Sequence, residues 1–285
     1  MNRTQQLTCS WLHQSGLDGD ALLLEALLRR GFLAYSDSQG VWLGTGSHSD
    51  DVEILQRIDG LFVEPRLGHQ NLMAHVKLQS WSLTAMDVAS AIVGIPENRS
   101  FIGTFDMPAD RWGRTWATYR KMIWGNKISV CPTKVFAGHA LGYIALDIGV
   151  ALLVKVLPLA RCATHAYSCD GHGGRSANVK FRFIWDSLWG EAVFGVLASN
   201  TQDSAWTWAG GLRITPTGFR DAEIIGMLND IQAFSRRLLH QSTIDKIGMA
   251  RARTLDVLGD IPPTAERFVE EAKYQLDKEF HRSHP

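Results

Sequence analysis

The sequence predicts an α+β fold: a mixed or antiparallel sheet flanked by helices, followed by a helical C-terminal extension. Three observations predict it. Short β-like segments recur up to residue 215, separated by Gly, Asp and Ser turns, as half-buried strands require. Between them lie runs with the 3.6-residue apolar period of a helix. Beyond Pro216 only the helical period remains. These shifts divide the 285-residue chain into an α+β domain over 1–215 and a helical subdomain over 216–285.

Asp20 is placed to cap "ALLLEALLRR", with Gly31 as its C-terminal stop. "FLAYSDSQGVWLG" alternates about an SDSQG turn and predicts a hairpin. A helix before a hairpin also begins a winged DNA-binding module. That module needs a further helix crossing the backbone, and only one helix is legible before the hairpin. "SDDVEILQRI" reads as a short helix capped by Ser49, and its acidic first turn suits the helix dipole. The competing reading makes "GTGSHSDD" an anion site where that helix begins. "LFVEP" and "NLMAHVKLQSW" read as strands. Thr84 and Asp87 form a capping-box start to "AMDVASAIVG", which Gly94 and Pro96 end.

"ADRWGRTWATYRKMIWG" predicts an amphipathic helix. Trp112, Trp116, Tyr119 and Ile123 share one stripe, with Arg114 and Lys121 opposite. "GYIAL" then reads as a strand, and Asp147 caps a helix that stops at Pro158. The competing reading is one helix from His139 to Leu157, against which stand two interior glycines at about 1 kcal/mol each. "ATHAYS" and "NVKFRFI" read as strands around a "CDGHGGRS" loop, and "KFRFIW", "EAVFGVLA" and "GLRIT" as an antiparallel meander. Three helices follow Pro216: from Thr217 to about Gln241, over 243–258, and from "PPTAERF" onward.

Charge and composition exclude some classes. With 29 basic and 29 acidic residues the whole molecule has no field that draws polyanions. The longest apolar run is broken by Asp147, Lys155 and Pro158, so no membrane span is expected. The first residues lack the basic and apolar regions of a secretion signal, and the four cysteines show no framework spacing. A cytoplasmic protein with reduced thiols is the expectation.

The densest chemistry lies in "AYSCDGHGG", residues 166–174. Cys162, His165, Cys169 and His172 form C-x2-H-x3-C-x2-H, residue types that zinc takes. A strand over the segment would hold Cys162 and Cys169 ~23 Å apart, at about 3.3 Å per residue. An odd separation also turns them to opposite faces. A smaller set, Cys169 and His172 with remote donors, would still suit zinc. Cys169, Asp170 and His172 are also the candidate catalytic residues, with a thiol nucleophile, an imidazole base and loop N–H groups facing an oxyanion. Against both stands a plain turn: Asp170-Gly171 is a turn signal, and Gly173-Gly174 supplies positive φ.

Asp147, Gly149 and Val150, then "LLV", Thr164 and "SCDGHG" together resemble uncharacterised phage and prophage proteins. Those carry an Asp-Pro-Gly-Ile-type helix start, a Thr and an SC-x-GHG loop. "SCDGH" is also similar to the SCSGR loop of the family that methylates a wybutosine precursor in tRNA. The likeness spans about residues 142–183, with Ile148 at the proline position and His172 at the tRNA family's arginine. It implies a mobile-element origin and carries no activity.

The expected function is therefore binding to a macromolecular partner by a non-enzymatic phage- or mobile-element-type protein, for example to inhibit a host defence complex. The alternative is a metal-dependent hydrolase or nucleic-acid-processing enzyme centred on the SCDGHG loop. A second alternative is nucleic-acid binding by residues 99–134, where seven basic side chains face only Asp106 and Asp110. The candidate partner-binding residues are Arg111, Arg114, Trp116, Arg120, Lys121 and Trp124. The C-terminal helices, with balanced charge, suit homo-oligomer contacts.

Overall fold

A computed structural model describes residues 1–44, 47, 49–67, 72–79, 84–96, 116, 148–157, 159–162, 164–169, 178–181, 184–197, 206–208, 212–214 and 221–281. Among them the chain builds an α+β fold with two four-stranded antiparallel sheets and helices packed around them.

Two helices open the chain, α1 (Arg3–Gln14) and α2 (Gly19–Arg30). The first escapes a search for apolar periodicity because its buried stripe is largely polar: Thr4, Gln5, Thr8 and Leu12. Gln5 Nε2 donates to the carbonyls of Val93 and Ile95 at 3.0 Å each, which is how an amide stays satisfied in the core. Asn2 and Gln5 make a reciprocal capping box. Helix α2 is capped by Asp18 rather than Asp20, the Asp18 carboxylate accepting from Gly19 N. It ends at Gly31, whose φ of 102° is left-handed. Two helices thus precede the hairpin, not one. The winged-module reading still fails, because α2 is buried continuously from Leu22 to Arg30 and has no face for a DNA groove.

The hairpin β1 (Ala34–Asp37) and β2 (Gly40–Leu43) is followed by α3 (Ser49–Leu55), β3 (Leu61–Leu67) and β4 (Leu72–Leu78). The sheet order is β1-β2-β4-β3. Pro65 sits in β3, an edge strand, where a residue without an N–H costs no ladder bond. Helix α4 (Ala85–Gly94) starts at the Thr84–Asp87 capping box.

After the stretch that holds the basic aromatic segment come α5 (Ile148–Val156), β5 (Thr164–Cys169) and β6 (Asn178–Phe181). The segment "EAVFGVLA" is not a strand. It forms the second half of α6 (Ile184–Leu197), where Trp189, Ala192, Val193 and Leu197 follow the helical period and are buried. Strands β7 (Trp206–Trp208) and β8 (Leu212–Ile214) complete the second sheet, in the order β5-β6-β8-β7.

Three helices follow: α7 (Asp221–Leu238), α8 (Gln241–Leu258) and α9 (Ala265–His281). Helix α7 packs on α5, and α9 packs on α6 and α8. Phe268 and Leu276 of α9 join the same apolar cluster as Leu27 of α2 and Val76 of β4. Ion pairs on buried carboxylates brace the helices, within α2 and between elements. Glu25 on α2 holds Arg29 at 3.1 Å and Arg236 of α7 at 2.6 Å. Asp186 of α6 takes Arg251 of α8 at 2.6 Å, and Asp51 of α3 takes Lys155 of α5 at 3.2 Å. None of the described helices is long and apolar enough to cross a membrane.

Candidate functional site: the outer face of the first sheet

Alternation along the strands decides which side chains leave the core. In β3, Leu61 and Val63 are buried while Phe62, Glu64 and Arg66 are exposed. In β4, Ala74 and Val76 line the core side, so His75 and Lys77 point the other way. Register then sets Tyr35 opposite Trp42, Trp42 opposite His75, and His75 opposite Glu64. One row across the sheet therefore reads Tyr–Trp–His–Glu, and Phe62 with Lys77 forms part of the next.

The row is tightly organised. Trp42 and His75 stack with centroids 4.3 Å apart and planes 11° from parallel. The Arg66 guanidinium lies 4.9 Å from the Trp42 ring. Stacking and cation–π contacts of this kind contribute about 0.5–1.5 kcal/mol each. His75 Nε2 meets the Gln39 carbonyl at 3.0 Å, so that nitrogen carries the proton and donates. Gly40 makes this possible. A Cβ there would stand 2.9 Å from His75 Nε2, and the φ of 125° already favours glycine.

Asp37 locks the turn, its Oδ1 accepting from Gln39 N at 2.8 Å and from Trp42 Nε1 at 3.0 Å. The Gln39 N–H, more than any other group, holds the Asp37 carboxyl below the usual range, and Trp42 and the nearby His75 act the same way. Trp42 is thus fixed by a carboxylate at its nitrogen, an imidazole beside its ring and a guanidinium over it. It is 5% exposed, whereas Phe62 beside it in the sheet is 47% exposed. The result is a braced platform on which, among the described residues, Phe62 is the large apolar side chain open to solvent. Its charges are mixed: Arg66 and Lys77 against Glu64 and Asp37, with Glu64 and Arg66 3.7 Å apart.

The residues singled out in the sequence fare differently. Trp116 is 2% exposed and its Nε1 donates to Gly259 O at 3.0 Å. Its ring meets Trp185 at 4.8 Å and Phe268 at 6.0 Å. It is a core residue and presents no partner surface. Arg111, Arg114, Arg120, Lys121 and Trp124 lie outside the described residues, as do Asp147, Asp170, His172 and the "GYIAL" segment. Cys162 is buried, and burial in an apolar setting pushes its thiol pKa up, with Asp186 adding to the effect. Such a thiol is neither a ready metal ligand nor a nucleophile. Extended strand β5 holds His165 and Cys169, so the coiled loop that the four-ligand zinc set needs is not formed. Cys169 pairs with Asn178 across the antiparallel β5–β6, and residues 170–177 between them lie outside the described residues. Among the described residues no three His, Cys, Asp or Glu side chains gather as metal ligands.

The platform was missed because the chemistry-bearing residues there belong to four separate strands. Its signal was the alternation Phe62-x-Glu64-x-Arg66 and His75-x-Lys77, which marks the face turned from the core; there Phe62, Glu64, Arg66 and Lys77 are exposed while His75, stacked on Trp42, is buried. The chain matches no family model, no curated protein and no solved structure.

Proposed function

We propose that the chain is a non-enzymatic protein of phage or mobile-element type that binds a protein partner through the outer face of its first sheet, as an inhibitor of a host defence complex would. The observation that carries the surface is Phe62: a large apolar side chain, about half exposed, on a braced sheet rimmed by charges of both signs. Aromatic residues on rigid supports dominate protein–protein binding energies. The charge balance favours protein over nucleic acid. Among the described residues, two cations and two anions on the face do not make the one-sided field by which phosphate backbones are held. The mobile-element origin rests on the likeness around "SCDGHG".

The test starts from a partner that co-purifies with the full chain and is then prepared pure. Titration calorimetry should give a defined stoichiometry, with Phe62→Ser or Lys77→Glu weakening it at least about tenfold, or 1.4 kcal/mol. Both positions are exposed, so the variants should fold normally. A partner bound equally well by both variants refutes the assignment of this face.

A further inference from the structure

We propose that an open cleft of about 610 Å³ among the ends of α6, α7, α8 and α9 binds a small phosphorylated ligand of nucleoside-monophosphate size.

Helix geometry assembles this site. On α9, Lys273, Asp277 and His281 fall at i, i+4 and i+8, so one stripe of the helix lines the cleft, with Phe280 beside it. Arg237, one residue before the end of α7, enters from the side, and its guanidinium donates to the carbonyl of Leu197 at the end of α6. That bond aims the planar fork and offsets the negative end of α6. On α6, a Cβ at Gly195 would lie 3.5 Å from Lys273 Cε, so the lysine stem runs close along that helix. Among the described residues Lys273 and Asp277 have no ion-pair partner.

Electrostatics favour an anion. Arg237 and Lys273 outweigh Asp277, and His240 and His281 add two imidazoles. The positive end of the 18-residue α8 also opens here, at His240 and Thr243. His240 occupies the N-cap position without a capping side-chain bond, so its ring does not satisfy the first N–H groups of α8.

Size and lining then narrow the ligand. A cleft of 610 Å³ is far larger than inorganic phosphate and falls within the ~300–1,000 Å³ range of small-molecule sites. Val196, Leu197 and Phe280 offer an apolar wall for a flat ring. Asp277 is the one carboxylate among the described lining residues, fitted to accept from ligand hydroxyls. A phosphate, a hydroxylated linker and a flat apolar body together describe a nucleoside monophosphate. A polynucleotide does not fit, because the chain after Pro216 carries ten basic and eleven acidic residues.

The experiment is calorimetry on the full chain with AMP, adenosine and inorganic phosphate as separate probes. AMP should bind at one site with Kd below ~1 mM, and each of its two halves at least about tenfold more weakly. AMP affinity should fall as salt rises from ~50 to ~200 mM, since the cations lie near solvent. Lys273→Glu should weaken AMP at least about tenfold with an unchanged urea midpoint. If that variant unfolds, His281→Ala decides by the same readout, with a loss of about threefold or more expected. The proposal is overturned by absence of saturable AMP binding up to ~10 mM, by phosphate alone binding as well as AMP, or by AMP affinity that a folded variant leaves unchanged.

Discussion

Replacing Asp51 with asparagine should be among the most damaging single changes in the molecule. The Asp51 and Lys155 side chains are 1% and 4% exposed, with Oδ1 and Nζ 3.2 Å apart. At an effective dielectric near 20, their attraction is about 5 kcal/mol, set against a desolvation penalty of several kcal/mol per ion. The pair therefore contributes little net stability while intact and much instability when halved. Burial depresses the Lys155 pKa, Asp51 opposes that shift, and Arg30 lies close enough to add to it. The two halves are consequently unequal. Asp51→Asn leaves Lys155 close to a like charge, Arg30, whereas Lys155→Met removes that repulsion together with the ion pair. Urea unfolding should show a loss of about 3–5 kcal/mol for Asp51→Asn and a smaller loss for Lys155→Met. Asp51→Leu combined with Lys155→Met should cost less than the two single losses added together. Losses under about 1 kcal/mol for both singles, or a larger loss for Lys155→Met, would refute the reasoning.

Three other outcomes are expected. Gly31→Ala should cost about 2–4 kcal/mol by urea titration, because φ is left-handed and the new Cβ would stand 2.4 Å from Ala151 Cβ. Asp37, with its pKa lowered in the folded state, contributes stability that is complete above the ordinary aspartate pKa and is lost as pH falls through the lowered value. Asp37→Asn should therefore flatten the acid limb of the stability–pH curve, and an unchanged limb would contradict the turn geometry. Iodoacetamide at mildly alkaline pH should leave Cys162 unmodified in the native protein and label it after unfolding, as peptide mass spectrometry would show. Native labelling of Cys162 would place it outside the core.

Much of the architecture was legible because local signals and burial agree. The first hairpin, the Thr84–Asp87 box, the "ATHAYS" strand (which runs one residue further, to Cys169) and the three terminal helices all follow from spacing and turn chemistry. Helix α1 was not legible, since apart from Leu12 its buried residues carry an amide and hydroxyls, the Gln5 amide donating to the Val93 and Ile95 carbonyls and the Thr8 hydroxyl back to Thr4 O. The segment "EAVFGVLA" misled because valine and phenylalanine suit a strand, while the helical stripe appears only when Asp186 and Trp189 are counted with it. Asp51 looked like an ordinary first-turn carboxylate, and Lys155 like an interruption in an apolar run. Their meeting across 104 residues is a tertiary fact that neither local pattern encodes. The outer face of the first sheet was half legible: alternation exposes Phe62, Glu64 and Arg66, but only the register brings Trp42 to His75.

Four of the long-range bonds reach from earlier elements into the last three helices: Arg236 to Glu25, Arg29 to Asn229, Arg251 to Asp186, and Trp116 to Gly259. During synthesis those earlier groups emerge first and wait for partners that arrive last. A polypeptide stopped short of α7 would carry Asp186 without Arg251 and the Trp116 nitrogen without its carbonyl, beside apolar surface that Phe268 and Leu276 normally cover. Such a product is a natural target for cellular proteases. The closing helices thereby complete the bonding and burial of elements translated well before them.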